Sequence, residues 1–219
     1  MSETRHLFAT PFVIDRLQSA EGIGVLKEAI LAERARDAAG VQISNLGGWH
    51  SNTNMLDWGG EAARALAHKA MTMADEATGH ADAESASEYS WVPEMWANVS
   101  GQGHANQYHT HPGSYWSAVA YIDDGYEGVN EGNLGGELQL SDPRMPMVRM
   151  TAPNLRLKDQ AGVAQKSEPI MRPTTGLIVM FPSWLQHAVR PFHGGGTRIS
   201  VAINLVPARK HNPDTAQGQ

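Results

Sequence analysis

From Arg198 to Leu205 the chain alternates without a break, with Arg198, Ser200, Ala202 and Asn204 on one register and Ile199, Val201, Ile203 and Leu205 on the other. Side chains two apart share a face of a strand. The segment is therefore a strand with one oily face to cover and one polar face that carries an arginine. A guanidinium beside a hydroxyl is shaped to grip a carboxylate through two hydrogen bonds. Arg198 and Ser200 thus point to an anionic small molecule held inside a barrel. Asn204, on the same face, lines that wall or ends the strand.

Upstream, residues 182–190 read as a second strand, joined to the first by Pro191-Phe192-His193-Gly194-Gly195-Gly196-Thr197. Three glycines supply the positive φ that a reversal requires, so the pair is expected to form a β-hairpin. An even number of turn residues, 191–196, would then put His187 and Arg198 on one face.

The 219 residues, 41% of them hydrophobic, suffice for one domain with a sizeable core. With no cysteine in the chain, disulfides, thiolate nucleophiles and Cys-ligated zinc drop out, and any metal must be held by histidines and carboxylates. A net charge of −6 gives no electrostatic draw to nucleic acid or to an anionic membrane. No run approaches the roughly 20 apolar residues that span a bilayer, and no leader pattern opens the chain. A cytoplasmic protein is expected.

In chain order, residues 7–14 suggest a short edge strand interrupted by Pro11. Residues 19–38 read as a helix capped by Ser19, and 59–77 as a second helix with Ala62, Leu66, Ala70 and Met73 on one face. Between them Trp49 sits in a turn-rich loop, where it either rims a pocket or staples the loop to the core. Strand patterns dominate from 88 onward, at 88–101, 114–122, 134–140 and 177–181. Trp116 and Tyr121 are read as core residues. Residues 145–173, with Met145, Met147 and Met150, have no firm pattern and suggest a lid or insertion. The organisation expected is a single domain over 1–207, helical over about 15–80 and jelly-roll over about 88–206, with a polar tail at 208–219. The fold class is α+β: a double-stranded β-helix with the helices packed outside.

Tyr108-His109-Thr110-His111-Pro112 sets two imidazoles two residues apart on one side of an extended segment, where both can reach one ion. His187 completes a three-ligand set that leaves positions open, as a catalytic metal requires. His104, in a Gly-x-Gly-His turn, is a spare candidate.

These residues carry a resemblance to the iron(II)/2-oxoglutarate-dependent oxygenases, and within them to a bacterial and phage subfamily in which the first ligand pair reads His-x-His. The matching pieces are 7–11, Gly48-Trp49-His50-Ser51, His109-Thr110-His111-Pro112, Gly136-Glu137-Leu138, Asp142-Pro143-Arg144, Phe181-Pro182-Ser183-Trp184-Leu185-Gln186-His187 and Arg198-Ile199-Ser200. The resemblance implies Fe(II) on His109, His111 and His187, with His111 standing where most of the superfamily has a carboxylate. It implies 2-oxoglutarate on Arg198 and Ser200, with Asn204 beside them. It also implies a hydroxylase that couples decarboxylation of 2-oxoglutarate to succinate with C–H oxidation. Trp49, Arg144 and Trp184 are expected to shape the pocket of an unnamed small-molecule or peptide substrate. Oligomeric state stays open, a homodimer among the options. Two other readings also stand: a three-His cupin-type metalloenzyme without 2-oxoglutarate, and a non-catalytic jelly roll that binds a small acid or sugar.

Overall fold

The computed structural model describes residues 5–81, 88–144, 152 and 154–210. The segment with Met145, Met147 and Met150, and the tail from 211, lie outside the described residues.

Among the described residues, eleven strands form two antiparallel sheets. The strands are β1 (Val13–Arg16), β2 (Asn45–Leu46), β3 (Trp49–His50), β4 (Tyr89–Ser100), β5 (Ala105–His109), β6 (Trp116–Asp123), β7 (Leu138–Leu140), β8 (Ile170–Met171), β9 (Leu177–Pro182), β10 (His187–Val189) and β11 (Arg198–Arg209). One sheet runs β1-β9-β6-β11-β4-β3, the other β2-β5-β10-β7-β8. This is the expected jelly roll. The Pro11-bearing segment contributes only β1, which lies at the edge of its sheet. β11 runs two residues into the expected tail, because Ala208 and Arg209 still pair with Ser90 and Tyr89.

Helices α1 (Ala20–Arg36), α2 (Met55–Trp58) and α3 (Gly60–Ala77) precede most of the strands. The Ser19 hydroxyl caps α1 by accepting the Gly22 amide hydrogen at 2.9 Å, which satisfies one of the donors a helix start leaves open. α1 and α3 cover the outer face of the six-stranded sheet. There Leu26 and Ile30 of α1 and Leu66, Ala70 and Met73 of α3 bury the oily face of β11, namely Ile199, Val201, Ile203 and Leu205. β6 is apolar on both sides because both sides are covered. Ala118, Ala120 and Ile122 join that outer core, while Tyr121 packs with Leu138, Val179 and Phe181 between the sheets.

The expected hairpin does not form. β10 pairs with β5 and β7, whereas β11 pairs with β4 and β6, so the two strands belong to opposite sheets. The connector is pinned as it crosses. Phe192 is fully buried, its amide donates to the His104 carbonyl, and its own carbonyl accepts from Gly103 N. A buried aromatic anchored on a neighbouring loop makes this a crossover between layers, where a tight reversal would leave Phe192 in solvent. His187 and Arg198 consequently line one space between the sheets from opposite sides.

Candidate active site

His109 and His187 are direct cross-strand partners on β5 and β10, the closest approach two side chains have in a sheet. His111 follows two residues after His109 and is tied down by the segment after β9. Its amide donates to Ser183 O at 2.9 Å, Ser183 N donates to Tyr115 O at 3.0 Å, and Leu185 N closes a turn onto Pro182 O at 2.9 Å. The Phe-Pro-Ser-Trp-Leu segment thus fixes both ends of the cluster, because Leu185 O also holds the ring of His187. One ring nitrogen from each of His109, His111 and His187 lies within 4.8 Å of the other two.

His109 Nδ1 lies 2.7 Å from Gln107 O, and His187 Nδ1 lies 2.8 Å from Leu185 O. A carbonyl only accepts, so both Nδ1 atoms carry hydrogen and both Nε2 lone pairs are free for a ligand. Burial lowers all three pKa values, His111 to about 4 and His187 to about 3; His109 moves in the same direction for the same reason. The rings are therefore neutral at physiological pH, the form that binds metal. Beside them His50, also held low by burial, stacks on Trp96 at 5.5 Å, and Trp96 in turn meets His111 at 5.6 Å.

At the other end of the same hollow lies Arg198, 2% exposed. Its Nη1 reaches Ser200 Oγ at 3.4 Å, and its guanidinium sits 5.3 Å from the centre of the Tyr121 ring. Among the described residues no carboxylate pairs with it. Arg198 Nε and the Tyr121 hydroxyl are both buried without a hydrogen-bond partner. Burial pushes the Tyr121 hydroxyl up to about 12, so it remains a donor. A buried cation without a counter-charge is costly. A guanidinium, a phenol and a serine hydroxyl converging on one space are matched by a carboxylate, so the donor set fits the far end of 2-oxoglutarate.

His109, His111, His187, Arg198, Ser200 and Asn204 all line this hollow. Asn204 takes a different place from Arg198 and Ser200. Six residues of extended strand separate it from Arg198, about 20 Å between Cα atoms, and its carboxamide lies 3.4 Å from His111 Nδ1. It belongs to the imidazole end. Of the residues expected at the substrate pocket, none is in the lining. Trp49 is stapled into the outer core with its indole N–H on Asp37 O at 2.7 Å. Arg144 closes a two-pronged pair on Asp142 at the surface, and Trp184 is 53% exposed. His104 instead accepts the Gly101 amide and shapes its own turn.

Ser44, Trp96, Asn98 and Asn106 line the hollow although no sequence pattern pointed to them, and so does Tyr121, which the sequence placed in the core. Asn98 lies opposite Ser200, a neighbour relation that appears only once β4 and β11 are paired. Tyr121 sits in a strand apolar on both faces, which reads as core. A larger open groove of about 600 Å³ between α1 and the 125–127 and 195–197 loops has no such convergence; its lysine, Lys27, is paired with Asp123 at 2.6 Å.

The family model described as "Putative 2OG-Fe(II) oxygenase" matches residues 94–204, half of the chain. In fold the chain is similar to a prolyl hydroxylase from Trichoplax adhaerens in complex with a hypoxia inducible factor oxygen degradation domain peptide fragment (TM-score 0.62, 13% identity, 89% of this chain and 83% of that one covered). It is also similar to a Pseudomonas putida prolyl-4-hydroxylase (TM-score 0.55, 16% identity, 94% and 95% covered). A third similar structure is HygX from Streptomyces hygroscopicus with nickel and 2-oxoglutarate bound (TM-score 0.57, 11% identity, 91% and 83% covered). No curated protein matches the sequence.

Proposed function

The chain belongs to the 2OG-Fe(II) oxygenase family, and from that premise we propose that His109, His111 and His187 hold its iron(II) while Arg198, Ser200 and Tyr121 hold the far carboxylate of its 2-oxoglutarate. The observation that carries this assignment is the buried, uncompensated guanidinium in the same hollow as three neutral imidazoles.

When bound, iron(II) and 2-oxoglutarate would supply, with dioxygen as the oxidant, oxidative decarboxylation to succinate and carbon dioxide coupled to C–H oxidation of a second substrate, one oxygen atom going to succinate and the other to the oxidised substrate. The protein's own residues orient and insulate. Arg198 and Ser200 fix the cosubstrate at the carboxylate farthest from the imidazoles, and the Tyr121 hydroxyl adds a donor from the neighbouring strand. Val119, Leu138 and Val189 line the hollow with hydrocarbon and keep water off it. Three neutral donors leave a divalent ion its full double charge, where a carboxylate in place of His111 would reduce it, so this set alters both redox potential and metal preference. Ser44, Trp96, Asn98 and Asn106 form the wall available to the prime substrate, a small molecule or a peptide. We take residues 1–207 to act as one unit in the cytoplasm. No helix among the described residues is long and apolar enough to cross a membrane.

Anaerobic titration of 2-oxoglutarate into the Fe(II)-loaded protein tests the assignment. The wild type is expected to bind saturably, and Arg198→Ala to bind about 10–100-fold more weakly, the loss of a charge-assisted pair of hydrogen bonds. Undiminished binding by Arg198→Ala contradicts it.

A further inference from the structure

His109 and His187 are each oriented by a backbone carbonyl on Nδ1. Among the described residues no such carbonyl faces the ring of His111. What faces its Nδ1, at 3.4 Å, is the carboxamide of Asn204, and that carboxamide is held on its other side by the Ser117 hydroxyl at 2.9 Å. Asn204 and Ser117 are direct partners across β11 and β6, and both are buried. The third imidazole is thus the one ring of the three oriented by side chains.

The polarity of this contact matters. In the structure the amide nitrogen is the end toward Nδ1, and the carboxamide oxygen accepts from Ser117 Oγ; so placed, the ring would carry its hydrogen on Nε2, the tautomer that blocks Nε2 as a ligand. The two ends of a carboxamide are the same size, and a half-turn exchanges donor for acceptor. The oxygen then faces an Nδ1–H, the nitrogen donates to Ser117 Oγ, and Nε2 is freed as in the other two rings. We propose that Asn204, backed by Ser117, is the positioning residue of the third metal ligand: its carboxamide oxygen accepts the Nδ1 hydrogen of His111 and thereby selects the tautomer that can ligate. This rests on the reading of the three imidazoles as the metal's ligands. It separates Asn204 from Arg198 and Ser200, which stand about 20 Å and about 13 Å away along the strand.

The test is anaerobic titration of Fe(II) into the full-length wild type, Asn204→Leu and Asn204→Asp, followed by 2-oxoglutarate at saturating metal. Asn204→Leu, close in volume but unable to accept, is expected to bind Fe(II) about 10–100-fold more weakly, with 2-oxoglutarate affinity little changed once metal is saturating. Asn204→Asp, which can only accept, is expected to restore wild-type metal affinity or exceed it. If Asn204→Leu melts below the assay temperature, Ser117→Ala, which lets the carboxamide turn freely, is expected to cost about fivefold in metal affinity. Metal binding by Asn204→Leu equal to wild type, Asn204→Asp as weak as Asn204→Leu, or a loss confined to 2-oxoglutarate overturns the proposal. A wild type that binds no stoichiometric Fe(II) overturns the three-imidazole reading with it, an outcome distinct from the others.

Discussion

Tyr121 shows how one side chain can be read two ways. Placed in an apolar strand it looks like a core aromatic, and its ring does pack against Leu138 and Phe181. Its hydroxyl is the informative part, since it is buried beside Arg198 with no partner. Removing an unsatisfied buried group costs the fold nothing and can stabilise it. Tyr121→Phe is therefore expected to leave the melting temperature of the metal-free protein unchanged or slightly raised. The same variant is expected to bind 2-oxoglutarate about three- to tenfold more weakly, the worth of one hydrogen bond. Melting curves and an anaerobic binding isotherm check both halves, and a fall in stability with intact binding would make the hydroxyl structural. The three histidines, Arg198 and Ser200 were legible because their spacing is chemical: a pair two apart, and an Arg-x-Ser on one face. Asn204 was legible as a lining residue but not as the neighbour of His111, and Tyr121 was not legible at the site, because nothing in the local pattern says which polar tip ends beside which neighbour.

At the scale of elements, periodicity gave α1, α3, β4, β6, β9 and β11 close to their observed bounds, each being long enough for its repeat to show. β8, two residues long, leaves no repeat to read. Alternation also assigned the faces of β11 correctly. What alternation cannot give is the partner of a strand, so the β10–β11 connection read as a hairpin although it crosses between sheets. The crossover depends on close backbone approach. At Gly135, with φ +67, a Cβ would stand 1.7 Å from the Pro191 carbonyl oxygen, while at Gly103, with φ +79, it would meet nothing within 4 Å. Gly135→Ala is expected to lower unfolding free energy by on the order of 3 kcal/mol, since both strain and a backbone clash apply. Gly103→Ala should cost only about 1 kcal/mol, from strain alone. Urea unfolding of the two variants checks the difference, and equal costs would mean that the connector is not held where the structure places it.

For the whole molecule, the sandwich surrounds a cluster of imidazoles that must stay neutral. Their folded pKa values, about 3 for His187 and about 4 for His111, lie below the usual value near 6.5. The unfolded chain therefore takes up protons first as pH falls. Stability is fully present above about pH 6.5 and is lost progressively toward pH 4. Between pH 7 and pH 5 the melting temperature of the metal-free protein is expected to fall by roughly 5–10 °C. A His111→Leu/His187→Leu double variant should fall distinctly less over the same interval, whereas parallel slopes would locate the effect elsewhere. The most direct test of the central claim is a crystal structure grown anaerobically with Fe(II) and 2-oxoglutarate. Ring nitrogens of His109, His111 and His187 are expected in the iron's coordination sphere and the distal carboxylate on Arg198 and Ser200; iron bound by other side chains, or a carboxylate away from Arg198, would contradict the assignment.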